Sequence, residues 1–220
     1  MARPRQPILN RQRIVEVAIS ILDSDGLEAL STRRLAQELG VRAPSLYNHF
    51  GTKEEILDAV GDAIVGQVDL RMFGTRDWAT ALTGWARAYR RALAKHPNAV
   101  PFLARGPALR PAALALADAV YGALVDAGWP PSYATRIGAT MRYFVAGSAL
   151  GSFAQGFVDD PTVYAERYPH LCDAHRLREH RQQVDDGAFE LGLATLVSGF
   201  VTLYGQVATA PHGAASSAAG

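Results

Sequence analysis

The chain has 220 residues, 49% of them hydrophobic and 20% charged, with a formal net charge of +1. These values exclude a wholly disordered polypeptide and allow either one sizeable core or a small domain beside a larger one. A lone cysteine, Cys172, excludes an internal disulfide framework and suits a reducing compartment.

The opening MARPRQPILNRQR carries arginine but lacks the apolar run of a secretory signal, so a cytoplasmic setting is predicted. Basic and acidic side chains are equal in number over residues 1–60, but they are unevenly placed. Arg3, Arg5, Arg11 and Arg13 all precede the first acidic residue, Glu16, and form a basic arm.

Ile14, Val17, Ala18, Ile21 and Leu22 recur along one helical face, and Gly26 stops the pattern, which predicts a helix over 11–25. Ser31-Thr32 offers hydroxyls to the free amides of a second helix whose buried side is Leu35, Ala36 and Leu39. Gly40 ends it, and a short turn leads to Pro44, a residue suited to the first position of a third helix. Two helices joined by a tight glycine-containing turn make a helix-turn-helix. In the third helix Leu46 and Phe50 face inward, leaving Ser45, Tyr47, Asn48 and His49 largely outward as a reading surface.

A fourth helix is capped by Thr52, has Glu54 and Glu55 in its first turn, and carries Ile56, Leu57, Val60, Ile64 and Val68 on one side; it is predicted to reach about Phe73. Helices follow over 77–96, over a short piece near 98–105, and over 111–127 and 132–158. Residues 159–186 read as a polar loop with a short helix, and 187–208 as an apolar helix before a disordered tail at 210–220. The fold class is therefore all-α. The expected divisions are a helix-turn-helix domain at 1–60 with its basic arm, and a larger helical ligand-binding and dimerisation domain at 61–209.

The stretch from Ile14 to Val60, above all LSTRRLAQELGVRAPSLYNHFGTKEEILDAV, resembles the DNA-binding domain of the tetracycline repressor family of bacterial regulators. Asp77-Trp78, His96 to Pro107, and Phe189-Glu190-Leu191-Gly192-Leu193 are similar to the C-terminal part of that family's tetracycline repressor branch. The resemblance implies an all-α homodimer with operator-binding heads and a small-molecule pocket. It also implies that Tyr47, His49 and Lys53 grip the DNA backbone.

Thr32, at a helix N-terminus, suits a phosphate. Base reading falls to Arg33, Arg42, Ala43, Pro44, Ser45 and Asn48. Arg33 matches a family position that reaches a guanine edge, Asn48 suits adenine, Ala43 and Pro44 suit thymine methyls, and Arg42 suits either phosphate or base.

Tracing the resemblance onto the second part implies a pocket bounded by Asp69, Trp85, Tyr89, Phe102, Leu103, Arg105, Leu116, Met141, Phe144 and Gly151. Phe102 stands where the tetracycline repressor has its magnesium-binding histidine, and Gly151 where it has a glutamate that supports the magnesium site from behind its direct ligands. Trp85 and Asp69 replace the asparagine and histidine that hold the drug. Neither Phe nor Gly offers magnesium a side-chain oxygen or imidazole ligand. The effector is therefore expected to be more apolar and metal-free, with no cofactor and no metal site.

His170, Cys172, His175 and His180 fit no standard zinc spacing. The run Phe189 to Ala208 is just long enough to span a membrane, but its glycines and serine suit close helix contact instead. Helices 132–158 and 187–208 are expected to build a four-helix dimer interface with no membrane span. G-x-S-x-G, P-loop, Rossmann and H-E-x-x-H motifs are all missing, so catalysis is not expected. The competing reading is a regulator that acts through protein contacts, its head having lost operator binding.

Overall fold

The computed structural model describes residues 9–105, 110–165 and 167–208. Arg3 and Arg5 of the basic arm, Pro107 and the expected tail at 210–220 lie outside the described residues. Every regular element among the described residues is helical. The chain divides into two compact units: 1–69 together with 89–117, and 70–88 together with 118–220.

The first unit opens with α1 (Arg11–Asp25), α2 (Thr32–Leu39), α3 (Pro44–Tyr47) and α4 (Lys53–Val65). Side-chain caps start three of these. Asn10 accepts from the Arg13 amide at 2.8 Å, Ser31 from Arg34 at 3.1 Å and Thr52 from Glu55 at 3.1 Å. Of the Ser31-Thr32 pair, Ser31 alone is the cap and Thr32 is the first helical residue. Gly26 and Gly40 take φ of 84° and 67°, a region that strains other residues, so each can reverse the chain where its helix stops. The core joins Ile14, Ala18, Ile21 and Leu22 of α1, Leu35 and Ala36 of α2, and Ile56, Val60 and Ile64 of α4, all buried.

Helix α4 ends at Val65, eight residues short of the predicted Phe73. Gly66 lowers helix propensity there, and Gln67 and Val68 bond back three residues, to Ile64 and Val65, in place of four. That tighter turn still buries Val68, so the apolar spacing is satisfied without a helix.

The 89–117 segment completes the unit with a 3-10 turn at Pro97–Ala99, α7 (Val100–Leu103) and the first residues of α8 (Pro111–Asp126). Asn98 Nδ2 donates to the Leu22 carbonyl at 2.9 Å, and His96 Nδ1 lies 2.9 Å from Asp23 Oδ2. Asp62 of α4 accepts from the Ala112 amide at 2.5 Å. Beside it Arg110, 3% exposed, sets its guanidinium 3.8 Å from Asp58 and 5.0 Å from the Phe102 ring centroid. Gly61 makes room for this side chain: a Cβ there would meet Arg110 Nη1 at 2.7 Å and Leu103 Cδ2 at 3.0 Å.

The second unit contains α5 (Met72–Thr75), most of α6 (Trp78–Ala94), the end of α8, α9 (Pro131–Ala149) and α10 (Arg181–Ala208). Asp77 accepts from the Thr80 amide at 3.0 Å ahead of α6, and Thr80's side chain and amide hold the Asp77 carboxyl below its ordinary range. Helix α9 stops at Ala149, not at the predicted 158. The Leu150 amide turns back to Gly147, and Asp185 draws the Phe153 amide to 3.2 Å. Where a loop with one short helix was expected over 159–186, the described residues before α10 form 3-10 turns at Pro161–Val163, Pro169–Leu171 and Ala174–Arg178, the first capped by Asp160. Thr162, bonded to Asp160 through side chain and amide, lowers the Asp160 carboxyl's affinity for protons. Helix α10 begins six residues before the predicted 187, with the Val184 amide bonded to the His180 carbonyl and Gly187 carried inside the helix.

Aromatic rings close this second core. Trp78 meets Trp129 edge to face at 5.4 Å, Tyr204 lies 5.1 Å from Trp129, and Phe144 stacks on Phe189 at 5.3 Å. Gly192 permits the last pair, since a Cβ would meet Phe144 Cε2 at 2.6 Å.

Gly61→Val forces a branched side chain into the space held by two buried neighbours, Arg110 and Leu103. Its expected cost is about 1–3 kcal/mol, the usual range for overpacking, read as a lower urea midpoint with unchanged slope.

Candidate nucleic-acid interface

The ten predicted contact residues all fall between the start of α2 and the start of α4, inside the first unit. Thr32 and Arg33 take the first two positions of α2, whose amides have no partner within the helix. Their neighbour Arg34 is engaged by Glu38 at 2.9 Å and Asp25 at 3.5 Å, while the Arg33 side chain stays exposed.

The turn runs through Gly40, Val41, Arg42 and Ala43. Val41 donates to the Ala36 carbonyl at 3.0 Å, and Ser45 and Leu46 donate to Arg42 and Ala43 at 2.9 and 3.0 Å. These bonds bring α3 off the turn with Pro44 at its first position. Arg42 and Pro44 are exposed, and Ala43 and Ser45 half-buried.

Leu46 is 1% exposed and Phe50 1%, while Tyr47 is 53% exposed and Asn48 is open to solvent. His49, expected to point outward, is half-buried because its backbone has already turned to deliver Phe50 to the core; its amide donates to the Leu46 carbonyl at 2.9 Å. Lys53, half-buried, is the first residue of α4, beside a reciprocal cap in which Glu55 Oε2 accepts from the Gly51 amide at 2.9 Å.

One contact beside these residues carries no signal in the sequence. Arg11, grouped there with the basic arm, donates to the His49 carbonyl and lies over the Phe50 ring at 3.9 Å. No local pattern reveals this contact, since 38 residues separate donor and acceptor.

The residues assigned to an effector pocket fall in both units. Tyr89, Leu103 and Leu116 are buried in the first, with Phe102 half-buried and Asp69 and Arg105 exposed. Trp85 and Met141 are buried in the second, Phe144 is half-buried on Phe189, and Gly151 is exposed. Among the described residues no group of three or more His, Cys, Asp or Glu is placed to hold a metal ion, and His170, Cys172 and His180 are exposed.

A glycine-reversed turn, a proline-started short helix and a solvent-facing Tyr-Asn tip define a helix-turn-helix transcriptional regulator. The family described as "Bacterial regulatory proteins, tetR family" matches residues 14–60, and "Tetracyclin repressor-like, C-terminal domain" matches residues 73–204. The chain belongs to the tetracycline repressor family. It is 33% identical over 201 residues to the class C tetracycline repressor protein of Escherichia coli, covering 87% of this chain and 90% of that one. Its fold is similar to that of a possible family regulator from Streptomyces coelicolor A3(2), with a TM-score of 0.72 at 31% identity over 88% of this chain and all of the other. It is also similar to the Streptomyces coelicolor protein ActR solved in complex with actinorhodin, with a TM-score of 0.71 at 29% identity over 89% and 98% of the two chains.

Because Leu46 is the one buried side chain of α3, Leu46→Ala is expected to destabilise the head by about 2–5 kcal/mol. Amide exchange across residues 42–50 would rise well before that of α10.

Proposed function

We propose that this chain is a repressor that reads a palindromic operator as a homodimer and releases it when a small, largely hydrophobic effector binds. The observation that carries the reading is the α2–α3 arrangement, in which exposed Arg33, Arg42, Tyr47 and Asn48 surround a fully buried Leu46. Thr32, Tyr47, His49 and Lys53 are assigned to phosphates, and Arg33, Arg42, Ala43, Pro44, Ser45 and Asn48 to base edges. Residues 1–60 then form the operator-reading domain, and 61–209 the effector and dimerisation domain.

Dimerisation is assigned to α9 and α10, which expose Tyr143, Leu191 and Val201 to solvent in the single chain. Two such helices from each subunit make a four-helix interface. By length and composition α10 could cross a membrane. Against a span, Glu190 within it forms a bidentate pair with Arg87, with contacts of 2.6 to 3.1 Å that also raise the Arg87 pKa. A charge pair beside a lipid-facing helix is costly, which favours a soluble, cytoplasmic protein with no membrane partner. Membership in a family of regulators and the missing catalytic motifs support a protein that is not an enzyme.

The effector is assigned to Asp69, Trp85, Tyr89, Phe102, Leu103, Arg105, Leu116, Met141 and Phe144. ActR has been solved with actinorhodin, which supports an organic molecule as the ligand class here. Phe102 and Gly151 provide no side-chain ligand for magnesium, so the effector is proposed to be metal-free. Helix α4 is the proposed lever, since Asp58, Gly61 and Asp62 already bind it to the Arg110–Ala112 stretch and, through Arg110, to Phe102. Release requires an effector that binds the DNA-incompetent state more tightly; equal affinity shifts nothing.

The test is selection of duplexes from random DNA, followed by fluorescence anisotropy of the selected site over a range of salt. The expected result is a palindrome with half-sites about 34–36 Å apart or a multiple of it, and a slope of about −0.9 per neutralised phosphate. Tyr47→Ala should weaken binding across sequences. A flat salt response would instead support a head acting through protein contacts. Calorimetric titration with tetracycline plus magnesium should give no tight binding; a magnesium-dependent, tight isotherm would overturn the metal-free assignment.

A further inference from the structure

Arg11 opens α1 and stands last but one among the arginines that precede the first acidic residue, yet its guanidinium is held on the protein. One nitrogen donates to the His49 carbonyl, and the guanidinium carbon lies 3.9 Å from the centre of the Phe50 ring. Phe50 is 1% exposed, so the cation covers an aromatic face at the edge of the head's core. His49 and Phe50 are the two residues by which the chain leaves α3 towards Gly51, Thr52 and Lys53.

Helix α3 has four residues and one buried side chain, Leu46. Leu46 and, just past the helix, Phe50 are side-chain anchors, each 1% exposed, and a small rotation about the line joining them moves the ring at the end of Tyr47 much further than the backbone beneath it. The carbonyls at a helix C-terminus lack partners within the helix, and a cation placed there is also favoured by the peptide dipoles. Arg11 therefore adds to these side-chain anchors a fixed point on the backbone itself, four residues beyond Ser45 and close to Tyr47 and Asn48.

We propose that Arg11 is a positioning residue for operator recognition: by holding the His49 carbonyl and the Phe50 ring it fixes the end of α3, and with it Tyr47, Asn48 and Lys53, against α1. This rests on the reading of α2 and α3 as the operator-binding element. Arg11 acts through the protein and not by gripping a phosphate.

The test uses the full chain, a duplex selected by the wild-type protein from random DNA, and anisotropy titrations over a series of salt concentrations. Arg11→Met is expected to weaken operator binding about tenfold or more with the salt slope unchanged, because the lost contact is internal. Arg11→Lys keeps a cation over the ring without the planar fork and should recover part of the affinity. Phe50→Leu removes the aromatic face at nearly constant apolar character, and in that background Arg11→Met should lose much of its effect.

A slope shallower by about 0.9 in Arg11→Met would reveal a phosphate contact and overturn the proposal. Wild-type affinity in Arg11→Met, or an undiminished effect in the Phe50→Leu background, would overturn it as well. A second readout needs no DNA: the Arg11 Nε–H proton should resonate upfield under the Phe50 ring and return in Phe50→Leu, and a resonance at the ordinary position would refute the contact. If the wild-type protein selects no duplex, the operator reading fails and the proposal with it, even if the ring-shifted resonance is present; the two failures are thus told apart.

Discussion

A helix of four residues cannot hold itself. One turn of hydrogen bonds does not offset the entropy of ordering the chain, so α3 exists because Leu46 and Phe50 are buried around it. The direction of Tyr47 and Asn48 depends on that burial, because these two exposed residues lie between the buried Leu46 and Phe50. The neighbouring elements serve the same end. Gly40 reverses the chain with φ of 67°, Pro44 starts the next helix, and Glu55 and Thr52 close the turn into α4.

The second constraint concerns α4. Its face carrying Asp58, Gly61 and Asp62 is fitted to Leu103, Arg110 and Ala112 by one hydrogen bond, one charge contact and one missing side chain. A buried arginine enclosed in this way is costly to strand, so Arg110 and α4 are expected to move together. Earlier in the 89–117 segment His96 and Asn98 are tied to Asp23 and Leu22 of α1. The first unit therefore includes sequence from two distant parts of the chain, joined by direct contacts between residues 50 to 76 positions apart.

Much of this was legible in the sequence because the head is governed by local rules. Apolar spacing, Ser or Thr caps, a glycine stop and a proline start located α1, α2 and the beginnings of α3 and α4 to within a residue or two, but α3 ends at Tyr47, so Asn48, His49 and Phe50, expected within it, lie beyond it. The helix ends were less legible. Val68 kept the apolar spacing while the backbone had already left the helix, and Gly187 looked like a boundary yet sits inside α10. The Arg11–His49 and Arg110–Asp58 contacts were invisible, since each joins residues whose separation carries no periodic signal. His49 shows the same limit from the other side: helical direction alone placed it outward, whereas the chain's turn into Phe50 half-buries it.

The aromatic residues divide unevenly between the units. All three tryptophans, Trp78, Trp85 and Trp129, belong to the second, while Tyr47 and Tyr89 are the tyrosines of the first. Indole emission from the native protein accordingly originates in the second unit. Trp78 and Trp129, 5.4 Å apart and nearly perpendicular at 86°, are also close enough for their electronic transitions to couple. The chain thus carries an intrinsic chiroptical reporter in its second unit, built from the same edge-to-face pair that closes its core.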